Sequence, residues 1–296
     1  MLSDLLALGA AAAWAVGSVT SVTPSRHLGA FAFTRWRMSI VALCLWAVLL
    51  FTGGWRSLGA PHVGLLLASG LIGIFVGDTA LFGAINRLGP RRAGVLFATH
   101  AAFSALLGVV WLNERIGLQA ALGMVLTLAG VMLAILLGRH KDETHAWEAD
   151  NGPVLIGVLL ALLAALCQAL GSLLAKPVMA SNVDPVMAAA VRVSISVLAH
   201  GVLLGAGFGP ARSQQPMTLR VLGQTALNGL IAMGLGMTLL LWALATGDVG
   251  MVGILSSVSP ILVLPLLWWR FGRAPAAGAW AGAVLTVVGT ALLLSR

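Results

Sequence analysis

Long apolar stretches alternate with short polar breaks along nearly the whole chain. This pattern predicts ten membrane-spanning helices, because each stretch approaches the roughly 20 apolar residues that a helix needs to cross the hydrocarbon core of a bilayer. The longest polar connection, residues 138–153, is interpreted as a linker between a first half, 1–137, and a second half, 154–296. The predicted spans lie at about residues 2–22, 29–52, 63–85, 92–112, 117–137, 154–176, 185–207, 219–244, 249–269 and 276–294.

Each half contains five predicted spans, and this odd number has a geometric consequence. Five crossings leave the chain on the opposite face of the membrane, so the second half must be inserted upside down relative to the first. Inverted repeats of this kind build many secondary transporters, in which the ligand site lies near the middle of the membrane between the repeats. The pattern therefore predicts an all-α membrane protein made of two inverted five-helix repeats.

An internal duplication supports this interpretation. Residues 77–137 align with residues 236–296 without a gap, at a constant offset of 159 (236 − 77). Both copies carry the motif Gly-x3-Thr-x2-Gly, which is more informative than matching aliphatic residues in a chain so rich in Leu, Ala, Gly and Val. The motif consists of Gly123, Thr127 and Gly130 in the first copy and of Gly282, Thr286 and Gly289 in the second. Weaker echoes pair Gly17-Ser18 with Gly171-Ser172, and Arg37-x-Ser39-Ile40 with Arg192-x-Ser194-Ile195.

Composition agrees with a membrane protein, since 59% of the residues are hydrophobic and only 9% are charged. Soluble domains contain about a quarter charged residues, so this composition excludes a water-soluble globule. The net charge of +8 does not indicate nucleic-acid binding, because most Lys and Arg lie at span ends. Cys44 and Cys167 lie inside apolar runs, so we expect neither a disulfide nor a metal site. Leu2–Val22 has no charged leader or cleavage motif and is predicted to be a retained span.

The distribution of positive charge predicts an orientation. The connections after the first, third, fifth, seventh and ninth spans are rich in Lys and Arg, which places both termini outside the cell by the positive-inside rule. These residues are Arg26, Arg87, Arg91, Arg92, Arg139, Lys141, Arg212, Arg220, Arg270 and Arg273, whereas the opposite face carries Arg56, Arg115, Lys176 and Arg296.

Polar groups inside a bilayer are costly, so each one is a candidate for function. Asp78 is the one acidic residue well within a predicted span, where it could carry a proton, meet a cation, or pair structurally with an Arg or with the backbone near Gly77. Arg37 and Arg192 lie about two turns inside their spans and could bind a carboxylate or phosphate, snorkel, or pair with Asp78. His100 can titrate near neutral pH, and its repeat counterpart is Ser259, beside the helix-breaking Pro260.

The remaining candidates are serines, aromatic residues and amides of the predicted spans. The serines could contact a substrate or pack helices together, and the aromatic residues could hold an apolar side chain or belong to the core. The full set of candidate substrate-binding residues is Trp14, Arg37, Asp78, Phe82, Thr99, His100, Gln168, Arg192, Asn228, Trp242, Ser256, Ser257 and Ser259. We find no motif of a metalloprotease, a phosphate loop or a nucleophile elbow, so we expect no catalytic residue, metal or cofactor.

The segment Ala93-Gly94-Val95-Leu96, together with Leu112-Asn113-Glu114-Arg115 and the following Gly123 and Ala129-Gly130, carries a family resemblance. It resembles the ten-helix EamA-type members of the drug/metabolite transporter superfamily, and among them YddG-like exporters of aromatic and other amino acids. Ser259-Pro260 also fits that pattern. Two positions depart from it: Arg273 replaces the acid in the second copy, and His100-Ala101 stands where the family usually has a proline.

The resemblance implies a basket of helices around a central cavity, lined mainly by spans 1, 3, 4, 6, 8 and 9, with alternating access. It also implies both termini in the cytoplasm, against the charge distribution, and export of amino acids across a bacterial-type inner membrane. Its partners would be a small-molecule substrate and the lipid bilayer, with the oligomeric state open. Coupling of transport to protons through Asp78 or His100 is compatible with such an exporter, and so is uniport without a coupled ion. The alternatives are export of drugs, sugars or nucleosides and, from another class, a membrane enzyme acting on lipid phosphates.

Overall fold

The computed structural model describes residues 1–137, 153–271 and 277–294. In these ranges the chain forms ten helices, two of which are interrupted. In chain order they are α1 (Leu2–Leu28), α2 (Ala30–Thr52), α3 (Ala60–Gly89), α4 (Arg92–Leu112), α5 (Leu118–Leu137), α6 (Val154–Ala180), α7 (Pro185–Gly205), α8 (Leu219–Thr246), α9 (two segments, Val249–Ser256 and Ser259–Phe271) and α10 (Ala277–Leu294). Most of the linker, residues 138–152, and the Gly272-Arg273 position lie outside the described residues.

The helices confirm the predicted membrane architecture. Seven of them are long and apolar enough to cross a membrane, and three shorter apolar helices complete the set among the described residues. α1 is longer than predicted and continues past residue 22 to Leu28. The serines at its end do not break the helix, because Ser21 and Ser25 donate hydrogen bonds to carbonyls one turn earlier, at 3.1 and 3.3 Å.

Irregularities in the helices repeat with the sequence. α3 contains a π-helical segment at Leu71–Val76, and α8 contains one at Gly229–Leu235, which begins one residue earlier and ends at the same position after the offset of 159. α4 is interrupted at Thr99, and α9 at Ser257 and Val258, again at one repeat position. The interruption of α4 needs no proline, because Thr99 Oγ1 donates to Leu96 O at 2.6 Å and tightens that turn.

The shared Gly-x3-Thr-x2-Gly motif is the contact between the last helices of the two repeats. A Cβ atom added at Gly130 would lie 2.5 Å from Thr286 N, and one added at Gly289 would lie 2.5 Å from Thr127 N. Gly123 faces Gly289, and Gly130 faces Gly282, so α5 and α10 run antiparallel. The motif lets two backbones touch, which is the usual role of small residues between membrane helices.

The two halves also interlock elsewhere. Gly17 of α1 packs against Ala232 of α8, and Gly171 of α6 packs against Gly73 of α3. The first helix of each half therefore packs against the third helix of the other half. Glu114 follows α4 and caps α9, because its two carboxylate oxygens accept from Val249 N at 2.6 Å and Gly250 N at 3.1 Å. The Leu-Asn-Glu-Arg sequence thus joins the fourth helices of the two repeats.

Candidate functional site

The site is built around an ion pair in the interior of the first repeat. Arg37 of α2 extends its guanidinium toward α3, where Nη2 forms an ion pair with Asp78 Oδ2. Asp78 lies two residues after the end of the π-helical segment, in the first turn of the α-helical segment that follows it. Arg37 is 4% exposed and the Asp78 side chain 13% exposed, so the pair is largely removed from solvent. Its charges neutralise one another, as a buried pair must.

Neighbouring residues complete the surroundings of this pair. Asn228 of α8 accepts from Arg37 Nη1 through Oδ1 at 3.2 Å, and its amide donates to Gly17 O of α1 at 2.6 Å. The Arg37 guanidinium lies 4.7 Å from the ring centroid of Phe82 and 5.5 Å from that of Phe33. The structure therefore brings four of the predicted residues together: Arg37, Asp78, Phe82 and Asn228.

Arg192 of α7 is the counterpart of Arg37 in the second repeat, and its environment is different. The residue is 0% exposed. Nη1 contacts the Met237 sulfur at 3.0 Å, whereas Nε and Nη2 have no hydrogen-bond partner within the described part of the chain. Asp78 attracts Arg192 electrostatically as well as Arg37. Among the described residues Asp78 is bonded to Arg37 and not to Arg192, so two guanidinium groups and one carboxylate leave this cluster with one excess positive charge.

The predicted small polar residues of α4 and α9 lie near the interruptions of these two helices. Some of them are hydrogen-bonded within their own helix and others are not. Ser256 and Ser257 donate to Gly253 O and Ile254 O of their own helix at 3.0 and 2.7 Å, which satisfies both hydroxyls. His100 begins the segment after the break in α4 and is 2% exposed, and its Nδ1 has no partner among the described residues. Its ring lies 5.0 Å from that of Phe97. Ser259, at the equivalent position of α9, is half-buried.

The other predicted residues lie apart from the ion pair or are already bonded. Trp14 donates from Nε1 to Ala232 O at 2.9 Å, and Thr99 uses its hydroxyl in the break of α4. Gln168 is buried in α6. Trp242 is 48% exposed, on the face of α8 that also exposes Leu227, Leu230 and Leu235. That face is an apolar outer stripe, so the structure does not place Trp242 with the charged cluster.

Sequence reasoning missed His200 of α7, which is fully buried between aromatic rings. Its ring centroid lies 4.7 Å from that of Phe75 and 6.2 Å from that of Phe31. Nδ1 lies 2.8 Å from Ser196 O, a carbonyl that can only accept, so Nδ1 carries the hydrogen. Nε2 then accepts from Thr79 Oγ1 at 3.0 Å. A histidine within an apolar run was the only available signal, since its partners come from other helices.

Similarity to known proteins extends over both halves of the chain. The model of the EamA-like transporter family matches the chain over residues 1–136 and 155–295. A solved crystal structure, described only as that of a protein, is 19% identical and has a TM-score of 0.76, with 98% of this chain and 95% of that chain covered. At this identity the likeness shows the fold alone. No curated protein matches this chain.

Proposed function

Because the chain belongs to the EamA-like transporter family, we propose that it is a secondary transporter that exports small amphipathic metabolites by alternating access. Amino acids, aromatic and other, are the substrates we propose, as in YddG-like exporters, and a bacterial inner membrane is the proposed location. Family membership itself makes the chain a multi-pass membrane transporter of small molecules and not an enzyme, as the sequence predicted.

One observation carries the substrate proposal: the buried cluster of Arg37, Asp78 and Arg192 contains two guanidinium groups and one carboxylate. It lies where α2, α3, α7 and α8 of the two repeats meet, and a ligand site between inverted repeats is typical of secondary transporters. An excess positive charge in an apolar interior favours a solute with a carboxylate. The apolar helices around it favour a solute with an apolar side chain.

The same cluster argues against organic cations. A cation would need Asp78 as a free counter-ion, but Arg37 pairs with this carboxylate. A lipophilic cation would also meet the excess positive charge of the cluster. Among the alternative cargos, the charge balance therefore favours carboxylate-bearing solutes over cationic drugs.

The proposal is tested by counterflow in liposomes that contain the purified protein. The liposomes are loaded with one unlabelled amino acid, and entry of the same labelled amino acid is followed for phenylalanine, tryptophan, leucine, threonine and alanine. Protein-free liposomes are the control for leakage, and labelled tetraphenylphosphonium serves as the cation. We expect at least one amino acid to enter faster than in the control, and the cation not to. If no amino acid exceeds the control, the amino-acid proposal is wrong.

A further inference from the structure

We infer that Arg192 is the residue that binds the carboxylate of the transported solute, through the edge of its guanidinium formed by Nε and Nη2. Arg37, by contrast, is committed to Asp78 and holds the helices of the site together. This inference rests on the proposed function and assigns its substrate-recognition residue. The two arginines occupy equivalent positions of the two repeats, so comparing their surroundings shows what each one lacks.

The residues at corresponding positions give the two arginines different partners. Asp78, which pairs with Arg37, corresponds to Met237 at the offset of 159, and Met237 offers Arg192 only a thioether sulfur at 3.0 Å. Asn228, the second acceptor of Arg37, corresponds to Ser69. The two corresponding residues even make the same backbone contact, since Asn228 donates to Gly17 O at 2.6 Å and Ser69 donates to Gly171 O at 2.5 Å. Asn228 also accepts from Arg37 through Oδ1, whereas Ser69 forms no hydrogen bond with Arg192 in the described part of the chain.

The free atoms of Arg192 have the arrangement that a carboxylate requires. Nε and Nη2 lie on one edge of the planar guanidinium, and their N–H groups point in parallel, which matches the two oxygens of a carboxylate. Both atoms are buried without a partner among the described residues. In Arg37 both terminal nitrogens are bonded, and only Nε lacks a partner. Arg192 therefore has two unbonded N–H groups on one edge, whereas on Arg37 the Nη2 of that edge is bonded to Asp78.

Two glycines pack their backbones against Arg192 Nη2 and bring no side chain to it. A Cβ atom at Gly73 would lie 3.0 Å from Arg192 Nη2, and one at Gly171 would lie 3.2 Å from it. The residue of the other repeat that corresponds to Gly73 is Ala232, whose methyl group packs against Gly17. Arg192 thus packs against glycine at this repeat position, whereas the corresponding residue of the other repeat carries a methyl group.

Charge balance explains why such a site would persist. Breaking a buried ion pair is strongly destabilising because it leaves a buried charge without compensation. Arg192 is fully buried and has no carboxylate bonded to it among the described residues. One carboxylate from a solute would give two carboxylates for two guanidinium groups. The solute then supplies to the second repeat what Asp78 supplies to the first.

The inference is tested by binding to purified protein in detergent, measured as a ligand-dependent rise in the midpoint of thermal unfolding. The probes are phenylalanine, its amide, which lacks the carboxylate, and 3-phenylpropionate, which lacks the amine. We expect phenylalanine and 3-phenylpropionate to bind and the amide to bind at least about ten-fold more weakly, because a charged hydrogen-bonded contact is lost. Equal binding of the amide overturns the inference.

Two variants locate the site. Met237→Asp supplies an internal carboxylate where repeat symmetry places one opposite Arg192, and Met237→Asn is the matched uncharged control. We expect phenylalanine to bind the Asp variant about ten-fold or more weakly than the Asn variant, because the internal acid competes for the same edge. Equal affinity in the two variants overturns the inference.

Arg192→Lys keeps the test decisive should Met237→Asp not be recovered folded. Lys retains the charge but not the parallel N–H pair, so phenylalanine should bind about ten-fold more weakly while the amide is unchanged. Unchanged phenylalanine affinity contradicts the assignment. Failure of the inference differs from failure of the proposed function: labelled amino acids would still exchange across liposomes while these variants behaved like wild type.

Discussion

Alanine at Gly130 should force α5 and α10 apart, because the new methyl group has no room between the two backbones. Its Cβ would lie 2.5 Å from both Thr286 N and Thr286 Oγ1 and 2.7 Å from Gly282 O. Carbon atoms and their neighbours normally approach to about 3.5 Å, so the helices must separate by roughly 1 Å. Two of the three contacts are backbone atoms, which cannot move aside as a flexible side chain could.

The cost follows from that separation. Overpacking a tight contact costs about 1–3 kcal/mol, and the small gain in helix propensity from Gly to Ala offsets about 1 kcal/mol at most. We therefore expect a net loss of roughly 1–2 kcal/mol for Gly130→Ala. The matched control is Gly64→Ala in α3, where a Cβ would meet nothing within 4 Å and stability should be unchanged or slightly higher.

The assay is unfolding of the purified variants in mixed detergent micelles, followed by circular dichroism as the denaturing detergent is increased. The double variant with Gly289→Ala adds a second test, since its Cβ would lie 2.5 Å from Thr127 N on the same interface. Once one methyl group has separated the helices, the second should cost less, so the two losses should be less than additive. If Gly130→Ala is as stable as Gly64→Ala, the repeated motif is not the close contact described above.

Four further changes have defined outcomes. Asp78→Asn should cost about 3–5 kcal/mol of stability in the same unfolding assay, because it leaves the Arg37 charge buried without a partner. Replacing both Arg37 and Asp78 by apolar residues should cost less. A greater loss in this double variant would contradict the reasoning. Glu114→Gln should cost about 1 kcal/mol, as the charged cap of α9 weakens, and no change in the unfolding midpoint would contradict that role. Trp242→Ala should leave the rate of amino-acid counterflow within about two-fold of wild type, because the ring lies on the apolar outer stripe of α8. A large decrease in that rate would show that Trp242 contributes to the site. Ser257→Ala should also leave the counterflow rate within about two-fold, since its hydroxyl bonds its own helix, and a strong decrease would show a direct role.

Much of the fold could be predicted because it depends on local sequence. Apolar length sets the spans, and the shared Gly-x3-Thr-x2-Gly register identifies the duplication. What that motif contacts did not follow from sequence, because the partner of Gly130 lies in the other copy, at Gly282 and Thr286. The two π-helical segments were not predicted either, since glycine-rich helical stretches occur throughout the chain without such segments.

The residues of the site could be predicted only in part from the sequence, for a related reason. The charged residues were found because charge is rare inside a membrane span, but which arginine meets Asp78 depends on the rotation of α2 and α7. Trp242 shows how that rotation is lost in sequence reasoning. It was a candidate as an aromatic residue of an apolar span, and an apolar span does not reveal which face of α8 turns outward.

In the proposed site, a solute carboxylate occupies the unbonded edge of Arg192 while Asp78 stays on Arg37. An experimental structure of the wild-type protein with bound phenylalanine would test this arrangement. We expect both carboxylate oxygens at about 2.7–2.9 Å from Arg192 Nε and Nη2, with the Arg37–Asp78 pair intact. A carboxylate bound to Arg37 with Asp78 displaced, or bound away from both arginines, would contradict it.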